Sequence, residues 1–268
     1  MTYFPARVDG GPGARDRTLS AGAAEVRAAA GGPLTGGGSQ GRYVVAVFYR
    51  ALELTLAPAL RAAYRPVVSG VEHLPHTGPV IIAANHLSFA DEFFTPAVAR
   101  RQVTYLAKAE YFDSPGLRGW AMKRFFGGLG HVPVDRDITH AAAASIDLCV
   151  RVLAEGRAFG IYPEGTRSPD GRLYKFRTGV ARVALRSGAP VVPLGIVGTR
   201  EVQPPGDKLW HRAPLELHFG APMSFAHLAD QERSSRVLRE VTDTIRVAVQ
   251  RLSRQEYVDT YASNAKDG

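Results

Sequence analysis

A single cysteine, Cys149, in 268 residues excludes an internal disulfide framework and fits a reducing compartment. The chain also lacks any window near the roughly 18 uninterrupted apolar residues of a spanning helix. Its opening stretch, MTYFPARVDGGPGARDRTLS, has no apolar h-region. The expectation is a chain neither exported by a signal peptide nor threaded through a bilayer. No internal repeat is present. His73 and His76, in HLPH, have no carboxylate or further histidine spaced to complete a metal site, so no metal is expected. Basic residues are dispersed and no nucleic-acid-binding module is recognisable, which argues against a nucleic-acid partner.

What is present suffices for a full core. At 45% hydrophobic, the chain fits one large α/β domain with appendages. Lys and Arg number 33 against 25 Asp and Glu, a formal charge of +8, which favours anionic partners such as phosphorylated small molecules or anionic membrane.

Composition shifts along the chain. Residues 1–42 are rich in Gly, Ala, Arg and Ser, including GGPLTGGGSQG, and are too poor in large apolar groups to offset the entropy of ordering; they are read as disordered. From Tyr43 an amphipathic helix is expected across residues 43–65, with Val44, Phe48, Leu52, Leu56 and Ala59 on one face and Arg50, Glu53 and Arg61 on another. A helix packed on the core and one lying on a membrane surface fit this pattern equally. Residues 66–255 alternate buried-strand runs (PVIIAAN, VTYLAK, LGHVPV, AFGIYP, APVVPLGIV, LELHFG) with helical stretches, and residues 256–268 read as a tail. Gly156 and Gly188 stand where helices should end. Leu238, Val241, Ile245, Ala248 and Leu252 mark a last helix, and Cys149 reads as core filler within a helical pattern.

Strand exits are where sites on such sheets are built. The first exit is AANHLSFAD. On a straight helix residues five apart point about 140° away from one another, so His86 and Asp91 cooperate only if His86 lies in the turn and Asp91 in the first helical turn. Ser88 and Asp91 also form a capping-box spacing, which would satisfy orphan amides without catalysis. A second exit, AFGIYPEGTRSPDG, brings a carboxylate, a hydroxyl and a guanidinium to one loop, and GHVPVDR and YKFRTG add Arg136, Lys175 and Arg177, an anion rim or a solvated face.

Together and in this order these stretches resemble the glycerolipid acyltransferases. NHLSFAD resembles their Asn-His-x4-Asp block, GHVPVDR their second block ending in Arg, YPEGTRS their third and VVPLGI their fourth, over about residues 66–200. The nearest likeness is to bacterial lysophosphatidic acid acyltransferases. Pro133 departs from the bulky apolar residue many members carry. The resemblance implies a single mixed-sheet α/β domain flanked by helices and preceded by the amphipathic helix. It also implies transfer of an acyl chain from acyl-CoA or acyl carrier protein, a substrate rather than a cofactor, to a lysophospholipid. His86 would be the general base and Asp91 its orienting partner. Arg136, Glu164, Gly165, Thr166 and Arg167 would shape the acceptor site, Glu164 by holding an arginine and a glycerol hydroxyl. Asn85, Lys108 and Lys175 are further binding candidates. The place implied is the cytoplasmic face of the membrane, peripheral or monotopic and drawn to anionic lipid. An acyl-thioester hydrolase, an acyltransferase for another lysolipid, and a noncatalytic membrane-binding protein of the same fold are the competing readings.

Overall fold

A computed structural model describes residues 39–108, 131–134, 141–207 and 209–265, with Gly116, Gly119 and Gly127. The first helix, α1 (Ser39–Tyr64), begins within the segment read as disordered, whose residues 1–38 lie outside the described ones. It leads into β1 (Val67–Ser69), a 3-10 turn at Val71–His73, β2 (Val80–Ala84) and α2 (Asp91–Ala99). Next come β3 (Val103–Thr104), β4 (Leu106–Lys108), β5 (Val132–Val134), α3 (Ala141–Ala154) and β6 (Ala158–Ile161). β7 (Leu173–Tyr174), α4 (Gly179–Ser187), β8 (Val191–Val197), the single turn α5 (Thr199–Val202) and β9 (Glu216–Phe219) follow. After a 3-10 segment at Ala226–Gln231 come α6 (Ser235–Ser253) and β10 (Tyr257–Val258).

The main sheet runs in the order β1-β9-β8-β2-β6-β3, parallel throughout except where β8 meets β9. All five residues of β2 are buried because both faces of the sheet are covered. Alternation sends Ile81 and Ala83 into a core with Leu153 of α3, Val180 of α4 and Ile245 of α6. Val80, Ile82 and Ala84 point the other way, into a core with Phe94 and Val98 of α2 and with Leu60 and Tyr64 of α1. Gly156 and Gly188 adopt φ of 74° and 63° at helix ends, the left-handed conformation that terminates a helix. α6 starts on a cap in which Ser234 Oγ accepts the Val237 N–H. Val249 rather than Ala248 takes the buried place after Ile245 on α6, continuing the i, i+4 stripe.

Three further details differ from expectation. VTYLAK splits at Tyr105, whose carbonyl accepts the Val132 N–H at 3.0 Å and so leads the chain from the main sheet into a separate β4–β5 ladder. On α1 it is Leu60 and Tyr64 that pack on the core, while Ala59 is exposed; the side chains of Val44, Phe48 and Leu52 lie outside the described residues. Residues 256–265, read as a tail, carry β10, which pairs in parallel with β7. Among the described residues no helix is long and apolar enough to cross a membrane.

Candidate active site

Strand register brings the motifs together. Ala83 of β2 lies opposite Ile161 of β6, so three residues further on His86 and Glu164 leave the sheet side by side. On the other flank of β2, Ala84 lies opposite Leu194 of β8. Asn85, fully buried, then acts as a substitute for a ladder: its Nδ2 donates to the Ile196 carbonyl and its Oδ1 accepts the Ile196 N–H, both at 2.8 Å. The amide uses its contacts to join two strands, which corrects its candidacy as a substrate ligand.

His86 occupies the turn and Asp91 the first position of α2, as the spacing requires. His86 Nδ1 donates to Asp91 Oδ2 at 2.8 Å. The same oxygen accepts the N–H groups of Leu87 and Ser88 at 2.8 and 3.0 Å, one half of the expected capping box; the other half is absent, because Ser88 Oγ accepts the Ala90 N–H rather than that of Asp91. Asp91 is fully buried at a helix N-terminus, where a negative charge is favoured. An ionised carboxylate only accepts, so the imidazole proton belongs on Nδ1 and the lone pair on Nε2. Nε2 has no hydrogen-bond partner among the described residues, and the His86 side chain is 13% exposed.

The imidazole plane is fixed from beneath. Tyr162 stacks on it with ring centroids 4.0 Å apart and planes inclined by 11°, and Tyr105 stacks under Tyr162 at 5.4 Å and 13°. This pile has room only because residue 160 is glycine: a Cβ there would stand 2.2 Å from Tyr105 Cε1. Burial pushes the Tyr162 phenol well above its ordinary range, with Tyr105 and Asp91 adding to it, so it remains neutral beside the histidine.

The second loop clasps the first through the main chain. Glu164, fully buried, accepts the His86 N–H on Oε1 at 2.9 Å and the Tyr174 N–H on Oε2 at 3.0 Å. Both oxygens therefore hold backbone, a correction to the expectation that they hold an arginine and a glycerol hydroxyl. Burial pushes this carboxyl up to about 8; the two N–H donors pull the other way, and Asp91 and Asp170 add to the rise. The Ser168 N–H completes the clasp by donating to the His86 carbonyl at 2.8 Å. Ser88 Oγ donates to the carbonyl of Gln203 at 2.9 Å, a tie with no signal in the local sequence.

Gly165 adopts φ 78°, and its missing Cβ makes way for Arg177, whose Nε lies 2.9 Å from the position that atom would take. Arg167 is exposed, with no hydrogen-bond or ion-pair partner among the described residues. Thr166 is half-buried on the same loop. Lys175 is ion-paired to Asp259 at 3.0 Å, so its charge is already answered. Arg136 and the side chain of Lys108 lie outside the described residues. His73 Nδ1 donates to the Phe219 carbonyl at 3.1 Å, a structural tie. Cys149 is buried in α3, and burial pushes its thiol up to about 12, which keeps it inert at neutral pH.

A histidine backed by a buried carboxylate, with one nitrogen open, is joined by a matching family model: residues 65–197 fit that of the acyltransferases, described simply as Acyltransferase. Residues 65–197 belong to the acyltransferase family. The acyltransferase fold is shared with the crystal structure of the 1-acyl-sn-glycerophosphate (LPA) acyltransferase of Thermotoga maritima, at a TM-score of 0.56 and 23% identity, covering 80% of this chain and 82% of that one. The chloroplastic 1-acyl-sn-glycerol-3-phosphate acyltransferase of Arabidopsis thaliana is 33% identical over 146 residues, 54% of this chain and 39% of the relative. The enzyme of the same name from Bacillus subtilis is 27% identical over 179 residues, covering 65% of this chain and 83% of the relative. The chain thus spans about two fifths of the length of the plant relatives it matches.

Proposed function

We propose that this acyltransferase moves an acyl chain from a thioester, acyl-CoA or acyl carrier protein, to the sn-2 hydroxyl of 1-acylglycerol 3-phosphate, forming phosphatidic acid. The observation that carries the reading is the His86 Nδ1 to Asp91 Oδ2 contact of 2.8 Å with Nε2 left open. The names of the relatives supply the substrate class.

A hydroxyl is a poor nucleophile at neutral pH. Nε2 removes its proton as the oxygen attacks the thioester carbonyl carbon, and the imidazolium so formed is stabilised by Asp91 and by the face of Tyr162. Collapse of the tetrahedral adduct breaks the carbon–sulfur bond, and the imidazolium returns the proton to the departing sulfur. Acyl chain and proton are both accounted for without an acyl-enzyme, and the inert Cys149 supports that direct route. Arg167, exposed and unpaired among the described residues, is the natural ligand of the acceptor's phosphate, with Arg136 its expected companion and Lys108, paired on its strand with Val134 two residues before Arg136, a further cation. Glu164, Gly165 and Thr166 shape the loop that presents it. No cofactor enters the route.

The acceptor resides in bilayers, and the reading places the enzyme on the cytoplasmic face of the membrane, peripheral or monotopic, through α1. Leu54 on that helix is 74% exposed, and the net charge of +8 suits anionic lipid.

The test is mass spectrometry of products made by the purified full chain from a panel of lysolipids and both donor types. Phosphatidic acid from lysophosphatidic acid is expected, with His86→Ala lowering kcat by roughly two to four orders of magnitude. Equal thioester cleavage with and without acceptor would make the protein a hydrolase, and preference for another lysolipid would move the acceptor.

A further inference from the structure

Three of the cations around the second loop are neutralised by carboxylates, Arg172 by Asp170, Lys175 by Asp259 and Arg239 by Asp243, and Arg200 spends its guanidinium on the Ser168 and Pro169 carbonyls. Arg177 is held differently. Its backbone N–H is tied to the Pro163 carbonyl at 2.8 Å and its side chain runs across Gly165. The guanidinium then rests 5.0 Å over the ring of Tyr261, and Nη2 donates to Ser263 Oγ at 3.2 Å. Every one of these partners is neutral, so the charge is fixed in place yet not cancelled. Of the five N–H donors of a guanidinium, only one is used by the described residues.

We infer that the segment Tyr257–Ser263 completes the acceptor site, with Tyr261 a positioning residue that holds Arg177 over Gly165 as a ligand for the acceptor's phosphate. The inference rests on the lysophosphatidic acid reading above. The segment is built to hold a position. β10 pairs in register with β7, and the Lys175 N–H donates to the Thr260 carbonyl at 2.9 Å. Ala262, between the two residues that touch Arg177, is fully buried. An exposed arginine otherwise samples many rotamers, and the ring restricts that freedom while leaving the guanidinium able to bind an anion.

The test uses the purified full chain with lysophosphatidic acid and acyl-CoA. Tyr261→Leu is expected to raise KM for lysophosphatidic acid roughly fivefold, with kcat and KM for the thioester within about twofold of wild type. Tyr261→Phe, which keeps the ring face, should retain the wild-type KM. Because Tyr261 acts through Arg177, Tyr261→Leu should add nothing in an Arg177→Ala background. Inorganic phosphate, as a headgroup stand-in, should raise the thermal midpoint of wild type more than that of Arg177→Ala. A Tyr261→Leu effect that persists without Arg177, or one on kcat alone, overturns the inference, as does a phosphate response unchanged by Arg177→Ala. A wild-type protein that fails to acylate lysophosphatidic acid yet loses its phosphate response on Arg177→Ala would defeat the proposed reaction and leave the anion site standing.

Discussion

The Glu164 carboxylate holds His86 by its backbone N–H and not by its ring, at 2.9 Å. The glutamate therefore governs where the histidine stands, and Asp91 governs how its imidazole is turned. Removing either should have separable consequences.

Glu164→Ala leaves two buried N–H groups without an acceptor and should cost about 3 kcal/mol of stability. Glu164→Gln is the more informative change. Burial lifts the native carboxyl to about 8 from an ordinary 4.5, so the folded state binds this proton more tightly than the unfolded chain. The group's stabilising contribution is then fully present below about 4.5 and is lost as pH rises through about 8. A glutamine does not ionise, so urea denaturation from about pH 5 to pH 9 should show the variant gaining on wild type with rising pH. A constant difference would mean the carboxyl titrates in its ordinary range.

Asp91 and His86 should differ in what they cost. The Asp91 oxygen satisfies Leu87 and Ser88 as well as the imidazole, so Asp91→Ala should lose both turnover and roughly 2 kcal/mol of stability. Asp91→Asn should also be severely impaired in turnover. His86→Ala should lose turnover with the smaller stability change, about 1 kcal/mol, because only the stack on Tyr162 is lost and Asp91 Oδ2 keeps its two backbone donors. Activity assays paired with denaturation curves check the contrast; equal destabilisation by both alanine variants would contradict it.

Asn85→Asp places a carboxylate oxygen against the Ile196 carbonyl in a dry site. A loss of about 2–4 kcal/mol is expected, with the acceptor KM unchanged in whatever protein folds. A raised acceptor KM at undiminished stability would instead mark Asn85 as a substrate ligand.

Gly160→Ala adds one methyl group, beneath Tyr105, and should displace the ring pile on which His86 rests. kcat should fall at least about tenfold even though residue 160 lies two rings from the imidazole. The measurement is kcat on soluble, folded variant; wild-type turnover would show that Tyr162 holds its place without Tyr105.

The strands of the main sheet were readable because a strand covered on both faces is a continuous apolar run, and VIIAA and VVPLGIV are such runs. The pairing of His86 with Asp91 was readable because the partners are only five residues apart. Asn85 and Glu164 were misread for the opposite reason. The partner of Asn85 is a main-chain group 111 residues away, and one of the two main-chain partners of Glu164 is 78 residues away; both are supplied by strand register, which no local pattern encodes. β7 and β10 escaped notice because two residues are too few to show a period. Leu60 and Tyr64 were missed because the predicted stripe of α1 stopped at Ala59, short of the turn that meets α2.

The long reach of these ties sets a timetable for synthesis. Asn85 waits for Ile196, 111 residues later, and Ser88 waits for Gln203, 115 residues later. At about 5–20 residues per second, translation separates the histidine loop from its last support by roughly 5–25 s. During that interval the loop exists without the scaffold that aims it. A growing chain should thus emerge at the ribosome silent and acquire its chemistry only after β8 and Gln203 have been translated.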